Sequence, residues 1–169
     1  MKQAIDQHLY CAREGRYARG IVVENGVQIR DATVDSSLLG LVIFGGYDPL
    51  DLRIVKTVQA VEQHLWVQTG SGGLARYEGD RYQRALDDVP GNPWIVCTLW
   101  LAQYRIAAAR SRKELERAVP LLLWAAERAL PSGVLPEQVH PLTGEFLSVS
   151  PLTWSHGTLV AAMLDYAEK

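Results

Sequence analysis

Apolar residues recur three and four positions apart along most of this chain, and the connections between the periodic segments alternate between long and short. Ile54, Val58, Val61 and Leu65 follow that spacing, as do Leu115, Ala118, Leu122, Ala125 and Ala129. Each set lines one face of a helix packed on a core. The segment from Trp94 to Ala109 is apolar nearly all round, which marks an inner helix surrounded by others. Asp48-Pro49, Asn92-Pro93 and Ser150-Pro151 each set a capping side chain before a residue preorganised for a first helical turn. Ser111 and Glu114 have the spacing of a capping box. These signals predict helices near residues 2–13, 35–44, 50–66, 93–109, 112–130 and 151–167, with Pro120 kinking or splitting the fifth.

The junctions after the first, third and fifth helices are long, roughly 20 residues or more, where bundle connections usually run about 2–8. The other two are short. If successive helices run antiparallel, the three long loops gather at one end of the array, where a site would be built. Ile21-Val-Val-Glu-Asn-Gly-Val-Gln-Ile29 places two β-branched runs around Asn25-Gly26, which predicts a small β-hairpin in the first long loop. The expected fold class is all-α. Six helices in three hairpins suit a segment of an α/α toroid, and a plain six-helix bundle fits the same pattern.

With 169 residues, 48% of them hydrophobic, the chain is long enough for one domain with a real core and too short for two. A formal charge of −2 with both signs interspersed offers no basic face for nucleic acid and no polybasic run for anionic lipid. Cys11 and Cys97 lie far apart in segments expected to be helical, so they read as reduced core residues. With no apolar leader after Met1 and no apolar run long enough to span a bilayer, a cytoplasmic setting is expected. His64, His140 and His156 lack metal-ligand spacing, and no Gly-rich phosphate loop follows a strand. No metal or cofactor is expected.

The most informative stretch is Leu135-Pro-Glu-Gln-Val-His-Pro-Leu-Thr-Gly-Glu-Phe-Leu-Ser-Val-Ser-Pro-Leu-Thr-Trp-Ser155, a polar loop of a length that is usually functional. It delivers Glu137, which is either a solvated surface carboxylate or a general base. A solvent-facing carboxylate is ionised at neutral pH and suits a base better than an acid. Arg76 offers a planar fork of donors able to bridge two adjacent hydroxyls, and equally suits a loop salt bridge with Glu78 or Asp80. Trp94 and Trp154 sit at helix starts, as core residues or as flat faces for the apolar side of a pyranose. Trp66, Trp100 and Trp124 read as packing.

Leu135-Pro-Glu-Gln138, Thr143-Gly-Glu and Ser148-Val-Ser-Pro-Leu-Thr-Trp-Ser155 together resemble the base-bearing loop of glucoamylase-type family 15 glycoside hydrolases. Gly73-Leu-Ala-Arg-Tyr-Glu-Gly-Asp80, Gly91-Asn-Pro-Trp94 and Cys97-Thr-Leu-Trp100 resemble the substrate-binding loop and inner helix of the same family, in the same order. The resemblance extends loosely over nearly the whole chain. It implies an α/α toroid of the six-hairpin glycosidase type represented by about half its helices, and hydrolysis of α-glucosidic bonds with inversion. Glu137 falls on the general base, and Arg76, Tyr77, Asp80, Tyr82, Trp94 and Trp154 fall on the substrate-binding set.

The Trp-Glu stretch that supplies the family's general acid has no counterpart here, and Glu78, Asp80 and Glu145 are the loop carboxylates left to replace it. The chain is therefore expected to be the C-terminal part of a toroid domain, spanning 1–169 as one unit. An open half-toroid would leave apolar helix flanks exposed. Pairing with a companion N-terminal half, or self-association, follows as an expectation. The expected ligand is an oligo- or polysaccharide with terminal α-glucose. A non-catalytic carbohydrate-binding or regulatory toroid module is the competing reading.

Overall fold

The computed structural model describes residues 1–169. It is mainly helical with small strand pairs. Helix α1 (Lys2–His8) is followed by the two-residue strands β1 (Tyr10–Cys11) and β2 (Arg16–Tyr17), then β3 (Gly20–Glu24) and β4 (Val27–Asp31). A 3-10 turn (Ser36–Leu39) runs into the short α2 (Gly40–Ile43), ahead of α3 (Leu52–Leu65) and α4 (Ile95–Ala108). Then come α5 (Arg112–Leu115), a 3-10 turn (Glu116–Ala118), α6 (Val119–Ala126), β5 (Gln138–Val139), β6 (Phe146–Leu147) and α7 (Thr153–Glu168). The strands form three separate antiparallel pairs. No helix is long and apolar enough to cross a membrane.

The expected inner helix is α4. Ten of its fourteen residues are buried, and it is shared by both core clusters. Val96, Cys97, Trp100 and Leu101 pack with α3 residues Ile54, Val58, Val61 and Leu65, while Ile95 and Leu99 pack with Trp124, Ala125, Leu135 and Ala162. The hairpin forms around Asn25-Gly26, whose φ values of 50° and 77° are those a primed turn demands.

Several boundaries differ from the sequence-based expectation. The first helix ends at His8, because Cys11 pairs with Arg16 in a strand and the chain turns back through Gly15 at φ 67°. The second shrinks to a 3-10 turn and one short α segment. The prolines do not mark the first helical turns. Asp51, not Asp48, caps α3 by accepting the Arg53 N–H at 2.8 Å, and Asn92 bonds Ala85, Gln83 and Gln138 instead of a helix end. The Ser111 cap does form, its hydroxyl accepting the Glu114 N–H. Pro120 falls on the second residue of α6, just past the 3-10 turn that separates it from α5.

The three long loops meet as expected. Single backbone bridges join Asp35 to Tyr77, Ala75 to Pro93 and Trp94 to Gln138. Gly73 makes one of these approaches feasible: at φ 92°, a Cβ there would overlap the Trp124 ring and stand 2.8 Å from Pro93 Cβ.

Candidate functional site

The first turn of α4 has no side-chain cap. One of its unpaired donors is met by loop backbone, the Ile95 N–H donating to the Glu137 carbonyl at 3.1 Å. The carboxylate-bearing residue is thus built into the end of the inner helix. Its loop is tied down on both flanks: the Glu137 N–H donates to Val149, the Leu152 N–H to Leu135, and the Ser155 hydroxyl to the Pro136 carbonyl. His156 Nε2 accepts the Leu135 N–H at 3.1 Å and so steadies the same loop.

One oxygen of Glu137 is engaged and the other is not. Oε2 accepts from Gln138 Nε2 at 3.2 Å and from the Ser148 hydroxyl. Oε1 has no hydrogen bond within the chain. Ser148 holds the left-handed φ of 62°, a conformation that is costly for a non-glycine residue, and its hydroxyl also lies 3.2 Å from the Tyr82 hydroxyl.

Arg76 is oriented by Asp80. Nε and Nη2 each donate to one carboxylate oxygen at 2.8 Å, a fork-to-fork pair of high geometric definition. The salt bridge considered for Arg76 therefore exists, and the partner is Asp80. The guanidinium carbon stands 4.5 Å from the Trp94 ring centre, 4.8 Å from Tyr77 and 5.4 Å from Tyr82. Burial works against the Arg76 charge, but the Asp80 carboxylate more than offsets it and holds the pKa above the ordinary arginine value.

These parts surround one cavity of about 340 Å³, lined by Arg76, Tyr77, Trp94, Glu137 and Trp154 among others. Two of the expected residues stand back from it. Asp80 lies beneath Arg76 at 2% exposure, and Tyr82 sits at the rim, its ring 6.2 Å from that of Trp94. The three carboxylates considered as replacement acids are all engaged away from the cavity. Glu78 pairs with His64 and accepts the Val34 N–H, Glu145 accepts from the Thr143 hydroxyl, and Asp80 holds Arg76.

Of the lining residues that the sequence did not assign to a site, two have side chains that matter for a ligand. Trp100, expected as packing, lines the cavity and meets Trp154 edge-on with ring centres 5.5 Å apart. The spacing of Trp94, Cys97 and Trp100 along one face of α4 was the available signal. Asp35 is the other, and nothing in the sequence separates it from an ordinary capping aspartate. Between them lies Cys97, whose thiol burial pushes up to about 12 and whose sulfur accepts the Ser36 hydroxyl at 3.0 Å.

The family profile of glycosyl hydrolases family 15 matches residues 1–164. The chain belongs to this family. Among family 15 relatives, it is 32% identical over 166 residues to a glycosyl hydrolase of Methanocaldococcus jannaschii, covering 92% of this chain and 25% of that protein. It is 32% identical over 143 residues to a glucoamylase of a Clostridium species, covering 80% and 20%. A trehalase of Mycobacterium tuberculosis is 27% identical over 158 residues, covering 85% and 21%. A bacterial glucoamylase solved in complex with acarbose superposes with a TM-score of 0.79 at 26% identity, over 99% of this chain and 28% of that one. The chain thus has the glucoamylase-type toroid fold and spans a quarter or less of the length of these curated relatives.

Proposed function

We propose that the cavity receives the terminal glucosyl unit of an α-glucoside and that Glu137 is the general base for its hydrolysis with inversion. The observation that supports this most is convergence. Arg76 from one loop, Trp94 from the start of α4, Glu137 from another loop and Trp154 from α7 line a single hollow. Its volume of about 340 Å³ is at the small end of ordinary ligand sites, about 300–1,000 Å³. Family 15 membership supports the same chemistry.

In this reading the free Oε1 of Glu137 takes a proton from water as that water attacks the anomeric carbon. Ser148 and Gln138 hold Oε2, so the carboxylate stays aimed. Arg76, braced by Asp80, donates to sugar hydroxyls, while Trp94, Trp154, Tyr77 and the rim residue Tyr82 give the ring its apolar walls. An inverting site needs a protonated acid about 6.5–9.5 Å across the bond, and it would come from outside these residues, from the remaining part of the toroid. The exposed apolar side of α7, with Trp154, Val160, Met163 and Leu164 each more than half exposed, supports a companion surface there.

Mixing the chain with a polypeptide that supplies the rest of the toroid tests the proposal. Glucose release from maltose, dextran or trehalose should appear on mixing, and Glu137→Gln should lower it about 10²–10⁴-fold. An unchanged rate in Glu137→Gln removes the base assignment.

A further inference from the structure

We propose that Asp35 is a hydroxyl-binding residue of the cavity, accepting a sugar O–H beside the donors of Arg76. The inference rests on the glucosyl-site reading above and assigns a residue which that reading does not use.

Asp35 is 7% exposed and lines the cavity. One carboxylate oxygen has a structural task, since Oδ1 accepts the Ser37 N–H at 2.8 Å and so caps the 3-10 turn. The other is nearly idle. Its hydrogen-bond partner is Arg19 Nη1 at 3.5 Å, an ion pair at the outer limit of a hydrogen bond. Arg19 is shared with a closer partner, donating to Asp31 through both Nε and Nη2. An ionised carboxylate offers about four acceptor sites, and buried acceptors are normally satisfied. A largely buried carboxylate on a cavity-lining residue, with one oxygen only weakly engaged, is suited to a ligand's donor.

The neighbour specifies what kind of donor. Asp35 faces Tyr77 across an antiparallel bridge, with the Ser36 N–H donating to the Arg76 carbonyl at 2.8 Å and the Glu78 N–H to the Val34 carbonyl at 3.0 Å. Acceptor and guanidinium therefore stand on adjoining loop segments held together by one bridge. Arg76 can only donate and Asp35, when ionised, can only accept. A sugar hydroxyl does both, so neighbouring hydroxyls of one ring can satisfy the two side chains together. An anionic ligand would instead meet two carboxylates, Asp35 and Glu137, on the same cavity.

Asp35→Ser separates this role from capping, because serine is an equally good cap but has no second oxygen. The full chain would be titrated with glucose and with each monodeoxyglucose, following tryptophan fluorescence. Wild type should bind glucose saturably, and Asp35→Ser should weaken it about 10–100-fold while its thermal midpoint moves by no more than about 3 °C. One deoxyglucose should bind wild type as weakly as glucose binds Asp35→Ser and lose nothing further in that variant. Asp35→Asn, which also keeps a capping oxygen, should show the same loss. Equal glucose affinity in wild type and both variants, or an unaltered deoxyglucose profile, overturns the Asp35 assignment alone. Failure of wild type to bind any of these sugars overturns the glucosyl-site reading and this inference with it.

Discussion

Helices α4 and α7 are packed against each other and are both rich in apolar residues, yet they meet opposite environments. α4 buries ten of fourteen residues. α7 buries three of sixteen, the small Ser155, Thr158 and Ala162, and leaves Trp154, Val160, Met163 and Leu164 in solvent. The difference shows that an apolar pattern fixes which face wants cover, while the neighbours decide whether it gets any. α4 has neighbours around most of its surface, and α7 has α4 and α6 along one side only.

That contrast can be broken by experiment. The largest expected effect is chemical. In a Cys11→Ser background, the buried Cys97, with its thiol pushed up to about 12 by burial, should alkylate more than about 10³-fold more slowly at pH 8 than the new thiol of a Leu164→Cys variant. Comparable rates would mean that the start of α4 opens readily. Next comes packing: Leu99→Ala, at a fully buried α4 position, should cost about 2–5 kcal/mol by denaturant unfolding. Helix ends offer a smaller contrast, since Ser111→Ala removes the cap of α5 and should cost about 1 kcal/mol, whereas α7 has no side-chain cap to lose. Smallest of all is Leu164→Ala, expected within about 0.5 kcal/mol in the chain alone. A loss there as large as at Leu99 would show that the outer face of α7 is already covered.

Much of this was legible beforehand, for identifiable reasons. Periodicity located α3 and α4, Asn25-Gly26 located the hairpin, and the alternation of loop lengths anticipated that the loops would meet. The caps misled, because a proline after Asp48 or Asn92 fits a turn as well as a helix start; Asn92 spends its side chain knitting two loops together. The two-residue strands of Cys11 and Arg16 gave no periodic signal at all. At the cavity, Glu137, Arg76 and Trp154 stood out through the resemblance of their segments to family 15 motifs, since their setting alone left a structural role equally open. Asp35 did not, since a capping aspartate and a cavity aspartate look alike until the fold brings the residue to the cavity wall.

The most direct test is made on Glu137 itself, in the chain reassembled with the rest of its toroid. Glu137→Ala leaves a gap where the base stood, and azide, an anionic nucleophile, needs no base to activate it. Added azide should restore turnover to the impaired variant and yield β-glucosyl azide from an α-glucoside. Glu137→Ala turning over at the wild-type rate without azide would contradict the account.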